Sequence, residues 1–285
     1  MSFRLGFHAS SAGTLEKTAI GAAALGANAY QIFSSSPRMW HAPPPDKSQA
    51  ILLERARTQL DLTPLVIHAN YLINLCSADS AIRMKSIAAF RGEIDRAIVL
   101  GAEYLVVHPG SAKDLAMEEA IRLGAEGLIE AAKGKTSQRL KILLENSAGQ
   151  GSAVGCKLEE IAELKKRSES DVAMGIGYCL DTCHLFSAGF PIHLEEGLAG
   201  TLELAHALLG LENVPVIHTN DSKTPLGSHV DRHDNIGQGQ IGLEAFGRII
   251  NTPELRNKVF ILETPAEDDG HLRDMAALRS LRKAG

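Results

Sequence analysis

The chain alternates short apolar runs with longer amphipathic stretches. Eight apolar runs are typical of buried β-strands, and they cover residues 4–8, 29–33, 64–68, 103–108, 140–145, 175–181, 214–218 and 258–263. The stretches between them carry apolar residues at helical spacing, as at Ile87, Phe90, Ile94 and Ala97. The ends of the runs recur at a spacing of roughly 36 residues, which is the length of one strand–helix unit.

This alternation predicts a single (β/α)₈ TIM barrel domain over residues 1–285. Near-continuous apolar strands suit a parallel sheet that helices cover, and eight units account for the whole chain. A doubly wound open sheet is the structural alternative, because it produces the same alternation but usually has fewer strands.

Composition and charge narrow the class of protein further. No run approaches the ~18 apolar residues of a membrane span, and the first residues lack the apolar core of a signal peptide. The four cysteines form no CxxC pair. We therefore expect a cytoplasmic, reduced monomer without a membrane partner. The net charge of −5 argues against a general nucleic-acid coat but leaves one local site open.

The ends of the predicted strands carry a second pattern. Seven of the eight are imidazoles or carboxylates and the exception is Phe33; the seven are His8, His68, His108, Glu145, Asp181, His218 and Glu263. In a (β/α)₈ barrel all strand ends point to one face, where the loops build the active site. Buried groups of this kind cost several kcal/mol without a partner, so the cluster needs compensating charge, such as a divalent metal ion.

Two loops add three further candidate ligands. His184 follows Asp181 by three residues, and Asp231 and His233 form an i, i+2 pair that can chelate one ion. His8 is equally compatible with a ligand and with a hydrogen-bond donor to a ligand. The remaining nine residues are too many for one four-coordinate ion and suit about three. Imidazole with carboxylate favours zinc, or manganese or iron, and clustered divalent ions suit phosphate-ester hydrolysis.

Other polar residues have simpler interpretations. We assign Asp221 to a turn and Cys183 to packing. The segment GQGQIG (237–242) is not expected to bind a dinucleotide, because a long polar loop separates it from the preceding strand. It either presents backbone N–H groups to a phosphate or is a plain flexible helix start. The histidines expected at the surface or at helix caps are His41, His193, His206 and His271.

Segments spread in order over essentially the full length give the chain a family resemblance. They are GFHASSAG, FSSSPRMW, YLINL, HPGS, LLENSAGQGS, DTCHLFSAG, HTNDSK, GSHVDRHDNIGQGQIG and LETP. The chain resembles the endonuclease IV family of apurinic/apyrimidinic (AP) endonucleases. The pattern DTCH…HxND…VDRHxxIGxGxIG is specific to that family.

The resemblance implies a zinc enzyme that cuts duplex DNA 5′ to an abasic site, leaves a 3′-hydroxyl and also removes 3′-blocking groups. Three zinc ions are implied, with Mn²⁺ or Fe²⁺ as alternatives at some sites, and Glu145 is implied as the catalytic bridge between two of them. The implied ligand sets are His68, His108 and Glu145; Glu145, Asp181, His218 and Glu263; and His184, Asp231 and His233. Three dications would also shift the formal charge from −5 to about +1.

Two loops resemble those that the family inserts into the minor groove at the lesion. Arg38 and the pair Tyr71–Leu72 match these positions, although a solvated arginine and a packed loop are the simpler interpretations. The sequence departs from the family pattern at Pro37, Ala69, Asn70 and His229. These departures concern DNA affinity and lesion preference and do not touch the proposed ligands.

Two other functions compete with this interpretation. Glu145, Asp181, His218 and Glu263 also resemble the site of single-metal TIM-barrel sugar isomerases and epimerases. Such an enzyme would have no use for the five additional candidate ligands. A DNA-lesion-binding module without chemistry is the third possibility, and the intact ligand set argues against it. Metal content separates the three, at about three ions, one ion or none per chain.

Overall fold

The computed structural model describes residues 3–283, and its centre is a parallel sheet of eight strands. The strands along the chain are β1 (Arg4–Phe7), β2 (Tyr30–Phe33), β3 (Leu65–His68), β4 (Tyr104–Val107), β5 (Lys141–Glu145), β6 (Gly175–Asp181), β7 (Val216–His218), β8 (Asp221–Ser222), β9 (His233–Asp234) and β10 (Val259–Leu262). Strands β8 and β9 pair separately and antiparallel, whereas the sheet runs β1-β10-β7-β6-β5-β4-β3-β2.

The two edge strands meet, so the sheet forms a barrel. His8, directly after β1, forms a parallel bridge with Gln31 of β2, and the Ala9 N–H donates to the Gln31 carbonyl at 2.8 Å. The predicted TIM barrel is confirmed, and the open-sheet alternative is wrong. Each barrel strand lies within one of the eight apolar runs.

Helices follow the strands and cover the barrel. They are α1 (Leu15–Ala24), α2 (Lys47–Gln59), α3 (Ser80–Val99), α4 (Met117–Ala132), α5 (Leu158–Ser168), α6 (Thr182–Ala188), α7 (Glu195–Leu209), α8 (Leu243–Asn251) and α9 (Gly270–Leu281). Capping side chains mark several starts, because Thr14, Asp46 and Asp79 accept backbone N–H groups of the first turn. Within residues 3–283 no helix combines the length and apolar character needed to cross a membrane.

The barrel interior is filled by a layer of small and branched side chains. This layer consists of Ala29, Val66, Val106, Leu143, Cys179, Val216, Val259 and Ile261. Side chains alternate along a strand, so the residues two positions further on also face inward. Those residues are Gln31, His68, His108, Glu145, Asp181, His218 and Glu263. An apolar plug therefore supports a polar layer at the carboxyl ends of the strands.

The loop after β9 is fixed by Asp221, which is fully buried. Its carboxylate accepts N–H groups from Gly237 (2.9 Å), Gly239 (3.1 Å), Ile241 (2.9 Å) and Gly242 (3.3 Å). The assignment of Asp221 to a simple turn was wrong. The phosphate-binding alternative for GQGQIG was wrong as well, because a carboxylate of the protein already occupies these donors.

Candidate metal centre

Glu145 lies at the centre of the polar layer, with none of its surface exposed. Its Oε2 is 3.2 Å from His68 Nε2 and 3.3 Å from His108 Nε2. Its Oε1 is 2.8 Å from His218 Nδ1. One carboxylate from β5 thus meets imidazoles from the ends of three other strands, and its two oxygens face different neighbours.

A second group of donors shares Glu145. Donor atoms of Glu145, Asp181, His218 and Glu263 all lie within 4.8 Å of one another, and those of His68, His108 and Glu145 do so too. His218 Nδ1 is also 3.3 Å from Glu263 Oε2. Glu145 is therefore a member of both donor groups.

The third group lies toward solvent. His184 Nε2 and His233 Nε2 each lie 3.2 Å from a different oxygen of Asp231, whose side chain is 47% exposed. His233 Nε2 is buried yet makes no hydrogen bond of acceptable geometry. A buried ring nitrogen of this kind fits a coordinated cation better than a hydrogen-bonded imidazole.

Backbone carbonyls orient the imidazoles. His68 Nδ1 donates to the Ala69 carbonyl (2.7 Å), His184 Nδ1 to that of Asn146 (3.0 Å) and His233 Nδ1 to that of Glu263 (3.2 Å). Because a carbonyl can only accept, the proton of the neutral ring stays on Nδ1 and the Nε2 lone pair faces the cluster. These three rings are set up to bind a cation through Nε2.

Three amide side chains that the sequence did not single out hydrogen-bond to the acidic residues of the cluster, two of them to the carboxylates. Gln31 Nε2 donates to Glu263 Oε1 at 2.6 Å, and Asn220 Nδ2 donates to Asp181 Oδ2 at 2.6 Å. Asn146 Oδ1 accepts the Asp181 N–H at 2.7 Å. The signal for Gln31 was a lone polar residue in the apolar run AYQIF, two positions after an inward-facing alanine.

His8 lies at the edge of this network. Its Nδ1 is 3.0 Å from Gln31 Nε2 and 3.7 Å from Glu263 Oε1. It belongs to none of the donor groups found among residues 3–283. This placement favours its role as a hydrogen-bonding partner of Gln31, close to the Glu263 carboxylate, over its role as a ligand.

The pKa values of the clustered residues reflect the charges that are buried together. Burial alone would raise the pKa of Glu145, but the surrounding imidazoles hold that pKa well below its usual range. Burial would lower the pKa of His184, yet Asp181 and Asp231 raise that pKa to about 10. The pKa of His233 rises to about 9 against the same effect of burial. Protons on these imidazoles therefore compensate the negative charge of the carboxylates, as a bound cation would.

Of the DNA-contact candidates, Tyr71 lies beside the cluster. Tyr71 is 66% exposed, with its ring 5.2 Å from Phe33 and 6.0 Å from His68 between ring centres. Arg38 is exposed as well, and Leu72 is half-buried. The packed-loop interpretation therefore does not describe Tyr71, which presents an aromatic ring to solvent above the candidate ligands.

The four histidines predicted to lie at the surface or at helix caps differ in their surroundings. His41 and His206 are exposed, and His193 is half-buried with its ring edge-to-face against Phe186. His271 was misassigned, because it lines the same cavity of about 220 Å³ as the candidate ligands. Its ring stacks on Phe7 and its Nε2 donates to the Thr264 carbonyl at 2.8 Å. Cys183 is buried, as expected.

Comparisons with known proteins identify the family to which the chain belongs. A family model described as xylose isomerase-like TIM barrel matches residues 21–283. A protein of Solibacter usitatus named "probable endonuclease 4" is 53% identical over 98% of this chain and 96% of its own length. The crystal structure of endonuclease IV from Thermus thermophilus is 37% identical, covers 98% of both chains and superposes with a TM-score of 0.86. The chain belongs to the endonuclease IV family.

The pKa shifts of His184 and His233 predict how the metal-free protein responds to pH. An unfolded histidine titrates near 6.5, whereas these two hold their protons up to about 10 and about 9. Their contribution to the free energy of unfolding is full below about pH 6.5 and is lost as the pH rises through 9 to 10. Urea denaturation in the presence of chelator should show stability falling across this window.

Asp231→Asn provides the comparison for this titration. It removes the carboxylate that faces both imidazoles, so the fall in stability with pH should be shallower than in the parent. Groups elsewhere that titrate in the same window act equally in both proteins. Parallel pH profiles for parent and variant would contradict the assignment.

Proposed function

We propose that this protein hydrolyses the phosphodiester 5′ to abasic sites in duplex DNA, leaving a 3′-hydroxyl, and that it also removes 3′-blocking groups. As a member of the endonuclease IV family it is a DNA-cleaving hydrolase. The observation that carries the proposal is the convergence of three adjoining donor groups on one rim, beside the exposed ring of Tyr71.

Three zinc ions fit the donors that the chain brings together. The three holding sets would be His68, His108 and Glu145; Glu145, Asp181, His218 and Glu263; and His184, Asp231 and His233. When bound, such ions supply Lewis-acid polarisation and positive charge against the phosphodiester. The buried carboxylates, the Nε2 atoms that face the cluster and the absence of a hydrogen bond at the buried His233 Nε2 all support this occupancy.

The chain's own residues position the reacting groups. Glu145 holds two ligand sets together through its two oxygens, and no solvent reaches it. Gln31 and Asn220 fix the orientation of Glu263 and Asp181 by donating to their oxygens. A rigid ligand frame needs little reorganisation as charge develops on the phosphate, which is the main way such a site lowers a barrier.

The sugar isomerase or epimerase alternative accounts for less of the structure. A single-metal site would use Glu145, Asp181, His218 and Glu263 and leave a second and a third donor group beside it. Those groups contain buried imidazoles whose tautomers are already fixed by backbone carbonyls. The close relatives that cover the chain are also endonucleases by name.

Glu145→Gln tests the bridge between two ligand sets. The amide keeps the shape of the side chain but removes the charge that would hold two cations close together. Cleavage of a duplex with a single abasic site should fall by more than about 10²–10³-fold, the loss typical of one electrostatic element. The rate of strand scission at saturating enzyme measures this.

His41→Ala is the matched control for that substitution. His41 is exposed and lies outside the donor groups described between residues 3 and 283. Its removal should leave the cleavage rate near that of the parent. If the two variants lose activity to the same extent, the assignment of the site is wrong.

The pair Arg38→Ala and Tyr71→Ala separates recognition from chemistry. An abasic nucleotide leaves a gap in the base stack, and side chains wedged there can hold the duplex in a kinked form. The double variant should bind abasic duplex more weakly and discriminate less between abasic and intact duplex, with its metal content unchanged. Binding titrations at one fixed salt concentration measure this, because phosphate contacts make affinity salt-dependent.

Met84→Ala controls for the loss of exposed apolar surface. Met84 lies on α3 and is 65% exposed, much like Tyr71. Its replacement should leave discrimination intact. Full discrimination by the Arg38/Tyr71 double variant would show that these loops do not contact the lesion.

A further inference from the structure

Helix α3 carries a buried ion pair that the proposed chemistry does not use. Glu93 and Arg96 are 1% and 5% exposed, and Arg96 Nη2 lies 2.8 Å from Glu93 Oε1. We call these two residues the α3 ion pair. Desolvation offsets most of the attraction in a buried pair, so such a pair contributes little net stability compared with apolar residues of the same size. The groups that it holds are therefore the better guide to its role.

The α3 ion pair holds the loop that follows β2. Ser34 is the first residue after that strand and lies four residues before Arg38. Its hydroxyl donates to Glu93 Oε2 and accepts from Arg96 Nε at 2.7 Å. Both members of the pair are thus needed to satisfy one serine at the base of the 34–40 loop.

The same pair reaches the loop that follows β3. Asn70 Nδ2 lies 3.5 Å from Glu93 Oε1, and Asn70 Oδ1 accepts the N–H of Leu72 at 3.0 Å. The Tyr71 N–H in turn donates to the Pro37 carbonyl at 3.2 Å. The α3 ion pair therefore contacts both the 34–40 loop and the 69–73 loop, and one backbone hydrogen bond joins the two loops directly.

We propose that Glu93 and Arg96 are positioning residues, which act through Ser34 and Asn70 to hold Arg38 and Tyr71 in one arrangement for lesion recognition. This inference rests on the proposed function of the two loops. A wedge that is already ordered loses less conformational entropy when it enters DNA, so loosening its anchor should weaken binding. The α3 ion pair does not belong to the metal donor groups among the described residues, so ligation should not depend on it.

Arg96→Met and Ser34→Ala test the anchor in two ways. Arg96→Met leaves Glu93 unpaired, whereas Ser34→Ala removes the shared hydroxyl without leaving an unpaired charge and so safeguards folding. For both variants we expect the preference for abasic over intact duplex to fall, by roughly tenfold for Arg96→Met and by less for Ser34→Ala. The KM for abasic duplex should rise while kcat changes little, because binding rather than the chemical step is affected. Metal content should stay at the parent value.

Arg57→Met is the control for a general loss of stability. Arg57 is 3% exposed and pairs at 2.6 Å with Glu103, which directly precedes β4 and therefore lies at the opposite end of the barrel. Its variant should melt at a lower temperature than the parent yet keep the parent's preference for abasic duplex. A loss of preference equal to that of Arg96→Met would show that the α3 ion pair acts only through overall stability.

The parent protein separates failure of this inference from failure of the proposed function. If the parent itself does not prefer abasic duplex, the proposed function fails. If the parent prefers abasic duplex and folded Arg96→Met and Ser34→Ala keep that preference, the proposed function stands and the positioning role is wrong.

Discussion

The structure depends on one electrostatic constraint, which is the placement of buried carboxylates at the carboxyl ends of parallel strands. Glu145 and Asp181 have no exposed surface, and the Glu263 side chain is 16% exposed. Ionised carboxylates in such a place need positive charge nearby, because water cannot solvate them. Imidazoles supply it as protons in the metal-free protein, and divalent ions would supply it in the loaded one. The amide and carbonyl network around them follows from this need.

Much of the fold and the candidate site could be predicted because both follow the period-two alternation of strands. The apolar runs located the eight barrel strands, and the polar residues at their ends marked the rim. The same rule fails at β2 when only strand ends are considered. Phe33 ends that strand, but the inward-facing polar residue is Gln31, two positions beyond Ala29 in the apolar layer. Counting two positions along each strand from the apolar layer identifies Gln31.

Other features could not be predicted, because they depend on contacts between distant parts of the chain. Nothing local distinguishes Asp221 in HTNDSK from a turn acid, yet it is buried under four N–H groups from residues 16 to 21 positions later. His271 belongs to α9 and reaches the cavity only because that helix packs against β1. In the sequence, Glu93 and Arg96 likewise look like ordinary charged residues of a helix. Only their contacts with the loops after β2 and β3 distinguish them.

Metal stoichiometry tests the central claim most directly. Protein purified without added metal and dialysed against metal-free buffer should contain close to three transition-metal ions per chain, mainly zinc, by plasma mass spectrometry. A protein carrying both Asp231→Ala and His233→Ala should lose about one of these ions and keep the two proposed for the donor groups that share Glu145. A single ion per chain in fully active parent protein would contradict the account.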